Sequence, residues 1–107
     1  MGWNERLISR HVPNISPEEA YRLLQSDPRV IIVDVRQPVE TASGSVPGAV
    51  LIPLTEFGRR MEELPRDRPI LTICRSSHRS PIAARRLKRA GYEVTNVLGG
   101  TMGWRAK

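Results

Sequence analysis

The chain is poor in cysteine and has no long apolar run. Cys74 is the one cysteine among 107 residues, so no disulfide can form within the chain, and this thiol is either a buried filler or a reactive group. No stretch approaches the roughly 20 apolar residues that span a bilayer. The first residues, MGWNERLISRHVPN, lack the apolar centre of a signal peptide. We therefore predict a cytoplasmic protein that does not contact a membrane.

Aromatic residues are also scarce. They make up 5% of the chain, which leaves few platforms for stacking bases, so a nucleic acid is not expected as a partner. The remaining composition, 39% hydrophobic and 26% charged, is that of an ordinary globular protein. A chain of this length predicts a single domain over residues 1–107, with residues 1–13 as an N-terminal extension or an edge strand.

Acidic residues are nearly absent after the cysteine. Residues 75–107 contain eight basic residues and one acidic residue, Glu93, a net charge of +7, whereas residues 1–74 carry −1. A local excess of positive charge raises the concentration of anions around it. The alternative is that a basic helix face only keeps the protein in solution.

Apolar runs that alternate with helix signals predict an α/β domain with a parallel sheet. The predicted strands are residues 30–35, 49–54, 70–74 and 93–98, and the predicted helices are residues 18–26, 55–64 and 81–90. Ser16, Pro17 and Glu19 form a capping-box pattern at the first helix. Thr55 and Ser80 are candidate caps of the other two helices. Residues 37–48 show no clear periodicity and predict a long loop.

The segment CRSSHRS places Cys74 between the third predicted strand and the third helix, at the sheet edge where parallel sheets bind ligands. Backbone N–H groups of a loop that enters a helix converge on its centre, and the helix N-terminus adds partial positive charge. Arg75, His78 and Arg79 add cationic or donor groups. Such surroundings lower a cysteine pKa from its ordinary value of about 8.5 and favour the thiolate. The competing interpretation is that Cys74 is simply the last buried residue of a strand.

The motifs together resemble those of single-domain rhodaneses. They are, in order, ISPEEA (residues 15–20), VDVRQPVE (33–40), GSVPGAVLIPL (44–54), CRSSHRS (74–80), AARRLKRAGY (83–92) and VLGGTMGW (97–104). The resemblance implies a three-layer α/β sandwich, with a central, mostly parallel sheet of about five strands and helices on both faces.

The resemblance also implies a chemistry. Cys74 would accept a sulfane sulfur from thiosulfate or another persulfide donor, hold it as a persulfide and pass it to a thiol, cyanide or protein acceptor, without a cofactor or a metal. The implied substrate-binding residues are those of the loop: Arg75, Ser76, Ser77, His78, Arg79 and Ser80. Asp34, Arg36 and Glu40 match family positions near the loop that support its structure.

Individual roles within this set stay open. Arg75 and Arg79 either hold the sulfonate of the donor or pair with Asp34 or Glu40. His78 is either a donor to the substrate or an exposed side chain. Ser77 stands where the family often has glycine, so the loop is strained there if its φ angle is positive. Ser45 replaces a frequent histidine, a change that we expect to be minor.

Loop length distinguishes between reactions. Four residues separate Cys74 from Arg79. The cell-cycle dual-specificity phosphatases, which have a similar fold, have five residues between the cysteine and the arginine. Low-molecular-weight tyrosine phosphatases and related arsenate reductases also have five. A smaller ring suits one sulfur atom better than a phosphate. Sulfur transfer is therefore favoured over phosphatase or arsenate reductase activity. A sulfur-relay or docking module with little turnover, which contacts an acidic partner through its basic third, is the other alternative. A catalytically silent scaffold is a third, if Ser77 distorts the loop.

Overall fold

The structure is a computed structural model that describes residues 11–76 and 78–104. Five strands are present in this part of the chain: β1 (Asn14–Ile15), β2 (Ile31–Asp34), β3 (Val50–Leu51), β4 (Ile70–Ile73) and β5 (Val94–Val97). The α-helices are α1 (Pro17–Ser26), α2 (Leu54–Arg60), α3 (Ser80–Arg89) and α4 (Gly100–Gly103). Two 3₁₀ helices lie at Pro38–Ser43 and Met61–Glu63.

The strands form one parallel sheet in the order β1-β5-β4-β2-β3. β4 lies at the centre, where Ile73 pairs with Asp34 of β2 and Thr72 pairs with Asn96 of β5. This sheet confirms the predicted α/β class and the parallel arrangement. Four of its strands lie within the predicted runs, and β1 adds a short edge. Residues 1–10 of the predicted N-terminal segment lie outside the described residues.

Helices cover both faces of the sheet, as predicted. Side chains alternate along β4, so that residues 70, 72 and 74 face one layer of helices and residues 71 and 73 face the other. The core cluster under α2 and α3 includes Val33, Val35, Ile70, Cys74, Phe57, Ala83 and Leu87. The core cluster under α1 includes Ile32, Leu71, Ile73, Val97 and Ala20, with Trp104 packed against it.

Helix caps follow the sequence pattern at one helix of three. The capping box at α1 is confirmed: the N–H of Glu19 donates to Ser16 Oγ at 3.1 Å, and the N–H of Ser16 donates to Glu19 Oε1 at 3.2 Å. The predicted caps Thr55 and Ser80 are wrong, because α2 begins at Leu54 and α3 begins at Ser80 itself, both without a side-chain cap. The Thr55 hydroxyl accepts instead from Gln37 Nε2 at 3.1 Å.

The segment predicted as an irregular loop contains the 3₁₀ helix Pro38–Ser43. Its first turn is closed by the Glu40 carboxylate, which accepts from the N–H of Gln37 at 2.8 Å. Arg36 donates to the backbone carbonyls of Glu40 and Gly44 at 3.3 and 3.0 Å. These contacts come from side chains and not from an apolar repeat, so periodicity could not reveal them.

In the part of the chain described here, no helix is both long and apolar enough to cross a bilayer.

Candidate active site

Cys74 follows β4 directly and is fully buried at the start of the loop that leads into α3. Its position at the carboxyl end of the central strand is where open parallel sheets place ligands. The side chains on either side of the loop's centre, those of Ser76 and His78, are exposed. A buried sulfur therefore lies beneath an accessible loop.

Hydrogen-bond donors converge on the Cys74 sulfur. Burial raises the pKa of the thiol, but hydrogen bonds from the Ser80 hydroxyl and from the backbone N–H groups of Ser80, Arg79 and Ser76 outweigh it. The pKa of Cys74 consequently lies below its ordinary value. The convergence of N–H groups at the N-terminus of a ten-residue helix is the geometry that stabilises an anion.

The start of α4 supports the loop from behind. The N–H of Thr101 donates to the carbonyl of Cys74 at 2.7 Å, and the N–H of Met102 donates to that of Arg75 at 3.0 Å. Gly100 makes this approach possible, since a Cβ there would overlap both carbonyl oxygens. Because these carbonyls are bonded away from the sulfur, the loop can turn its N–H groups inward.

Arg79 is engaged in a two-point ion pair. Its Nη1 and Nη2 atoms donate to the carboxylate oxygens of Glu40 at 2.6 and 2.7 Å. Hydrogen bonds from Arg79 and from the N–H of Gln37 lower the pKa of Glu40 to about 2. The sequence left two roles open for Arg79, binding of the donor or an ion pair with an acidic residue, and this geometry is that of the ion pair. The pair fixes the position of Arg79 at the end of the loop.

Asp34 and Arg36 form a second, buried pair behind the first. Arg36 Nη2 lies 2.7 Å from Asp34 Oδ2, and Arg36 Nε lies 3.0 Å from each oxygen of the same carboxylate. The Ser45 hydroxyl donates to Asp34 Oδ2 at 3.0 Å. Ser45 thus has a defined partner, and the pair joins the end of β2 to the segment that carries Glu40.

The exposed part of the loop holds the remaining candidates. Ser76 Oγ lies 2.9 Å from His78 Nδ1, so the two side chains form a polar pair at the surface. The Arg75 side chain is exposed and pairs with neither Asp34 nor Glu40 within residues 11–76 and 78–104. Ser77, with the strain predicted for it, lies outside the described residues.

Sequence reasoning missed a polar cluster beneath α3. The Ser80 hydroxyl donates to Asn96 Oδ1 at 2.6 Å, and the Thr72 hydroxyl donates to the same oxygen at 3.2 Å. All three side chains are buried. The sequence did carry a signal for this cluster: Thr72 and Asn96 are polar residues at core positions of two predicted strands. Because buried polar groups need hydrogen-bond partners, each pointed to a polar contact in the core. The cluster reaches Cys74 through Ser80.

Over the described ranges, no group of three or more His, Cys, Asp and Glu side chains could hold a metal ion.

Comparison with known proteins identifies the family. The profile of the Rhodanese-like domain matches residues 16–107. The chain is 37% identical over 94 residues to a sulfurtransferase of Allochromatium vinosum, an alignment that covers 87% of this chain and 88% of that protein. It is 39% identical over 97 residues to the putative sulfur carrier protein YrkF of Bacillus subtilis. That alignment covers 90% of this chain but 52% of YrkF, so the chain spans about half of that protein.

Solved structures agree with this placement. A rhodanese-like domain protein from Staphylococcus aureus superposes with a TM-score of 0.83 at 29% identity, covering 90% of this chain and 94% of that one. A thiosulfate sulfurtransferase from Pseudomonas aeruginosa superposes with a TM-score of 0.79 at 32% identity, covering 91% of this chain and 19% of that one. With the parallel sheet and the cysteine loop in the expected places, the chain belongs to the rhodanese-like family.

Proposed function

We propose that this protein is a sulfurtransferase in which Cys74 carries a sulfane sulfur as a persulfide. The observation that carries the proposal is the convergence of the Ser80 hydroxyl and three backbone N–H groups on the buried Cys74 sulfur. Relatives named as a sulfurtransferase and a putative sulfur carrier protein support sulfur transfer as the general role.

The first half-reaction is a displacement at sulfur. The Cys74 thiolate attacks the outer sulfur of thiosulfate, the S–S bond of the donor breaks, and sulfite leaves with the bonding electron pair. The negative charge moves to the outer sulfur of the new persulfide, so that no proton is taken up or released. Main-chain N–H groups of the loop, directed at the centre, stabilise the anion in both states without having to reorganise.

Arg75 is the residue that we assign to the sulfonate of the donor. Arg79 is occupied by Glu40 and Arg36 by Asp34, at 2.6 and 2.7 Å respectively. Within the described ranges the exposed Arg75 guanidinium has no acidic partner, so it can meet an incoming anion. A guanidinium binds a sulfonate through paired N–H donors, as it binds a carboxylate or phosphate.

The second half-reaction needs an external acceptor. Because Cys74 is the only cysteine, no internal thiol can form a resolving disulfide. Cyanide, a small thiol or a thiol on a partner protein must attack the outer sulfur and return Cys74 to the thiolate. The reaction is therefore of the ping-pong type.

Intact-mass measurement tests the proposal. Incubation with thiosulfate should add the mass of one sulfur atom, and cyanide should remove it. The Cys74→Ser variant should gain nothing. If the wild type never gains sulfur but hydrolyses an aryl phosphate, the phosphatase alternative replaces this proposal.

A sulfur-relay role with little independent turnover is the second candidate. It is favoured by the cations of α3: Arg85, Arg86 and Arg89 are exposed, and none forms an ion pair within the described part of the chain. Such a face suits an acidic protein. Transfer to an acidic partner should weaken steeply with ionic strength, because exposed charges are screened over about 10 Å at 0.1 M salt. Turnover with thiosulfate and cyanide should weaken only mildly.

A further inference from the structure

A buried polar cluster interrupts the apolar layer between the sheet and α3. Thr72, Ser80 and Asn96 are at most 2% exposed. Thr72 lies on the same face of β4 as Ile70 and Cys74, which belong to the apolar core cluster. Burying polar groups is unfavourable unless each finds a hydrogen-bond partner. The partners found here lead along one chain of contacts towards Cys74, which suggests a task beyond packing.

The amide of Asn96 is held in one orientation. Its Nδ2 donates to Asn14 Oδ1 at 3.1 Å, which directs Oδ1 towards α3. There Oδ1 accepts from the hydroxyls of Ser80 at 2.6 Å and Thr72 at 3.2 Å, which fills both of its lone pairs. The reversed amide would bring Oδ1 against the oxygen of Asn14.

The Ser80 hydroxyl has two acceptors but a single hydrogen. One acceptor is Asn96 Oδ1, and the other is the Cys74 sulfur, to which the same side chain is hydrogen-bonded. A hydroxyl rotates to suit its surroundings, and charged acceptors form the stronger hydrogen bond. The hydrogen should therefore point to the sulfur when Cys74 is a thiolate and to Asn96 when the sulfur is uncharged.

We propose that Asn96 is a positioning residue that competes with the Cys74 sulfur for the hydrogen of the Ser80 hydroxyl. In the proposed sulfur transfer, the charge leaves the Cys74 sulfur when the persulfide forms. At that moment the Ser80 hydrogen turns back to Asn96, so the bond lost at the sulfur is replaced. Asn96 thereby keeps the thiolate from being so well stabilised that its nucleophilicity falls, since nucleophilicity declines as a thiol pKa is lowered.

Other charged groups near the sulfur stay the same in the test variants. They lie on the loop, on β2, on the 3₁₀ helix after β2 and on the connection between these two elements: Arg75, His78, Arg79, Asp34, Glu40 and Arg36. Neither β5 nor α4 carries a charged side chain, and the first charge on α3 is Arg85. A change in thiolate stability in these variants therefore reports on the hydroxyl.

The test measures how fast iodoacetamide alkylates Cys74 across a pH series. Below the midpoint of the wild type, Ser80→Ala should slow alkylation about two- to tenfold, because a donor to the thiolate is lost. Asn96→Leu should accelerate it by a similar factor of about two to ten, because the competing acceptor is gone. If Asn96→Leu merely disturbed the packing, the loop N–H groups would be misaligned and alkylation would slow. Faster alkylation in Asn96→Leu is therefore specific to the proposal.

A double variant shows whether Asn96 acts through Ser80. In the Ser80→Ala background, Asn96→Leu should leave the pH profile unchanged. Thr72→Val is the matched variant if Asn96→Leu does not fold. It removes one of the two donors to Asn96 Oδ1 among the described residues and leaves Ser80, so it should slow alkylation roughly twofold. Three results would overturn the proposal. The first is slower alkylation in Asn96→Leu, and the second is an effect of Asn96→Leu that persists in the Ser80→Ala background. The third is an unchanged or faster alkylation rate in Thr72→Val.

The consequence for turnover rests on the proposed function, whereas the alkylation profile does not. Asn96→Leu should also lower the rate of sulfur loading from thiosulfate at a pH where Cys74 is fully ionised, and an unchanged or higher rate there overturns that consequence. If the wild type takes up no sulfur but the variants change the alkylation rate in the stated directions, the sulfurtransferase proposal fails and the role of Asn96 stands. If sulfur loads normally and the signs differ, the role of Asn96 fails alone.

Discussion

The guanidinium of Arg79 and the carboxylate of Glu40 face each other through two hydrogen bonds of 2.6 and 2.7 Å, although they are 39 positions apart in the chain. The pair joins the last residue of the cysteine loop to the 3₁₀ helix after β2. About a quarter of the Glu40 side chain and a third of that of Arg79 remain exposed, so solvent screens the pair in part. Its consequence is positional: it fixes the end of the loop whose N–H groups meet the Cys74 sulfur.

Replacing Arg79 should weaken the thiolate. Arg79→Ala removes a cation whose field reaches Cys74 and frees the end of the loop. At a pH below the measured midpoint of Cys74 ionisation in the wild type, we expect sulfur loading from thiosulfate to slow roughly tenfold, measured by intact mass, because there a loss of about 1.4 kcal/mol in thiolate stability lowers the thiolate fraction by that factor. Arg59→Ala is the matched control, since Arg59 pairs with Glu56 on an exposed surface. Equal rates in the two variants would contradict this role.

The Glu40 carboxylate should make the free energy of unfolding decrease as the pH falls into the acid range. Its pKa in the folded protein is about 2, below the ordinary 4.5, so its contribution is complete above pH 4.5 and is lost as the pH falls towards 2. Because the pair is partly exposed, we expect about 1 kcal/mol. Urea unfolding at pH 3 and pH 6 should show a smaller loss of unfolding free energy in Glu40→Gln than in the wild type. The same pH slope in both proteins would rule out the contribution.

Gly100 should tolerate no side chain. Gly100→Ala would place a Cβ against the carbonyl oxygens of Cys74 and Arg75, and its φ angle is +56°. We expect a loss of more than about 2 kcal/mol in the free energy of unfolding, together with slower sulfur loading. Gly48→Ala is the control, because Gly48 also has a positive φ, +80°, but an added Cβ there would meet no atom of the described residues within 4 Å. Its loss should be near the roughly 1 kcal/mol of backbone strain alone.

Arg75 should affect donor binding more than the rate of the chemical step. Arg75→Ala removes the exposed guanidinium that we assign to the sulfonate, so the KM for thiosulfate should rise about tenfold. We expect kcat to change less than KM in steady-state assays with cyanide as the acceptor. Arg85→Ala, which removes an exposed arginine from the middle of α3, should leave both constants unchanged. A KM that is equal in Arg75→Ala and the wild type would remove Arg75 from the site.

Periodicity located the sheet well because burial on both faces produces continuous apolar runs. Ile31–Asp34 and Ile70–Ile73 lie within the predicted strands, and the capping box at Ser16 marks the first helix correctly. The 3₁₀ helix Pro38–Ser43 was not predicted, because its order comes from bonds made by Arg36 and by the Glu40 carboxylate. Ser80 has the sequence pattern of a cap, but its hydroxyl donates a hydrogen bond to Asn96 Oδ1 on β5.

The α/β class, the position of Cys74 at the end of a strand and the basic character of residues 75–107 follow from the sequence, because they depend on local pattern and composition. The central place of that strand in the sheet comes from the fold. The pairing of each cation with its acid, and the choice of the hydroxyl that faces the sulfur, follow only from the folded structure. Those choices depend on contacts between residues far apart in the chain, such as Arg79 with Glu40 and Ser80 with Asn96. A one-dimensional pattern carries no distances between such residues, and only the folded sheet brings them together.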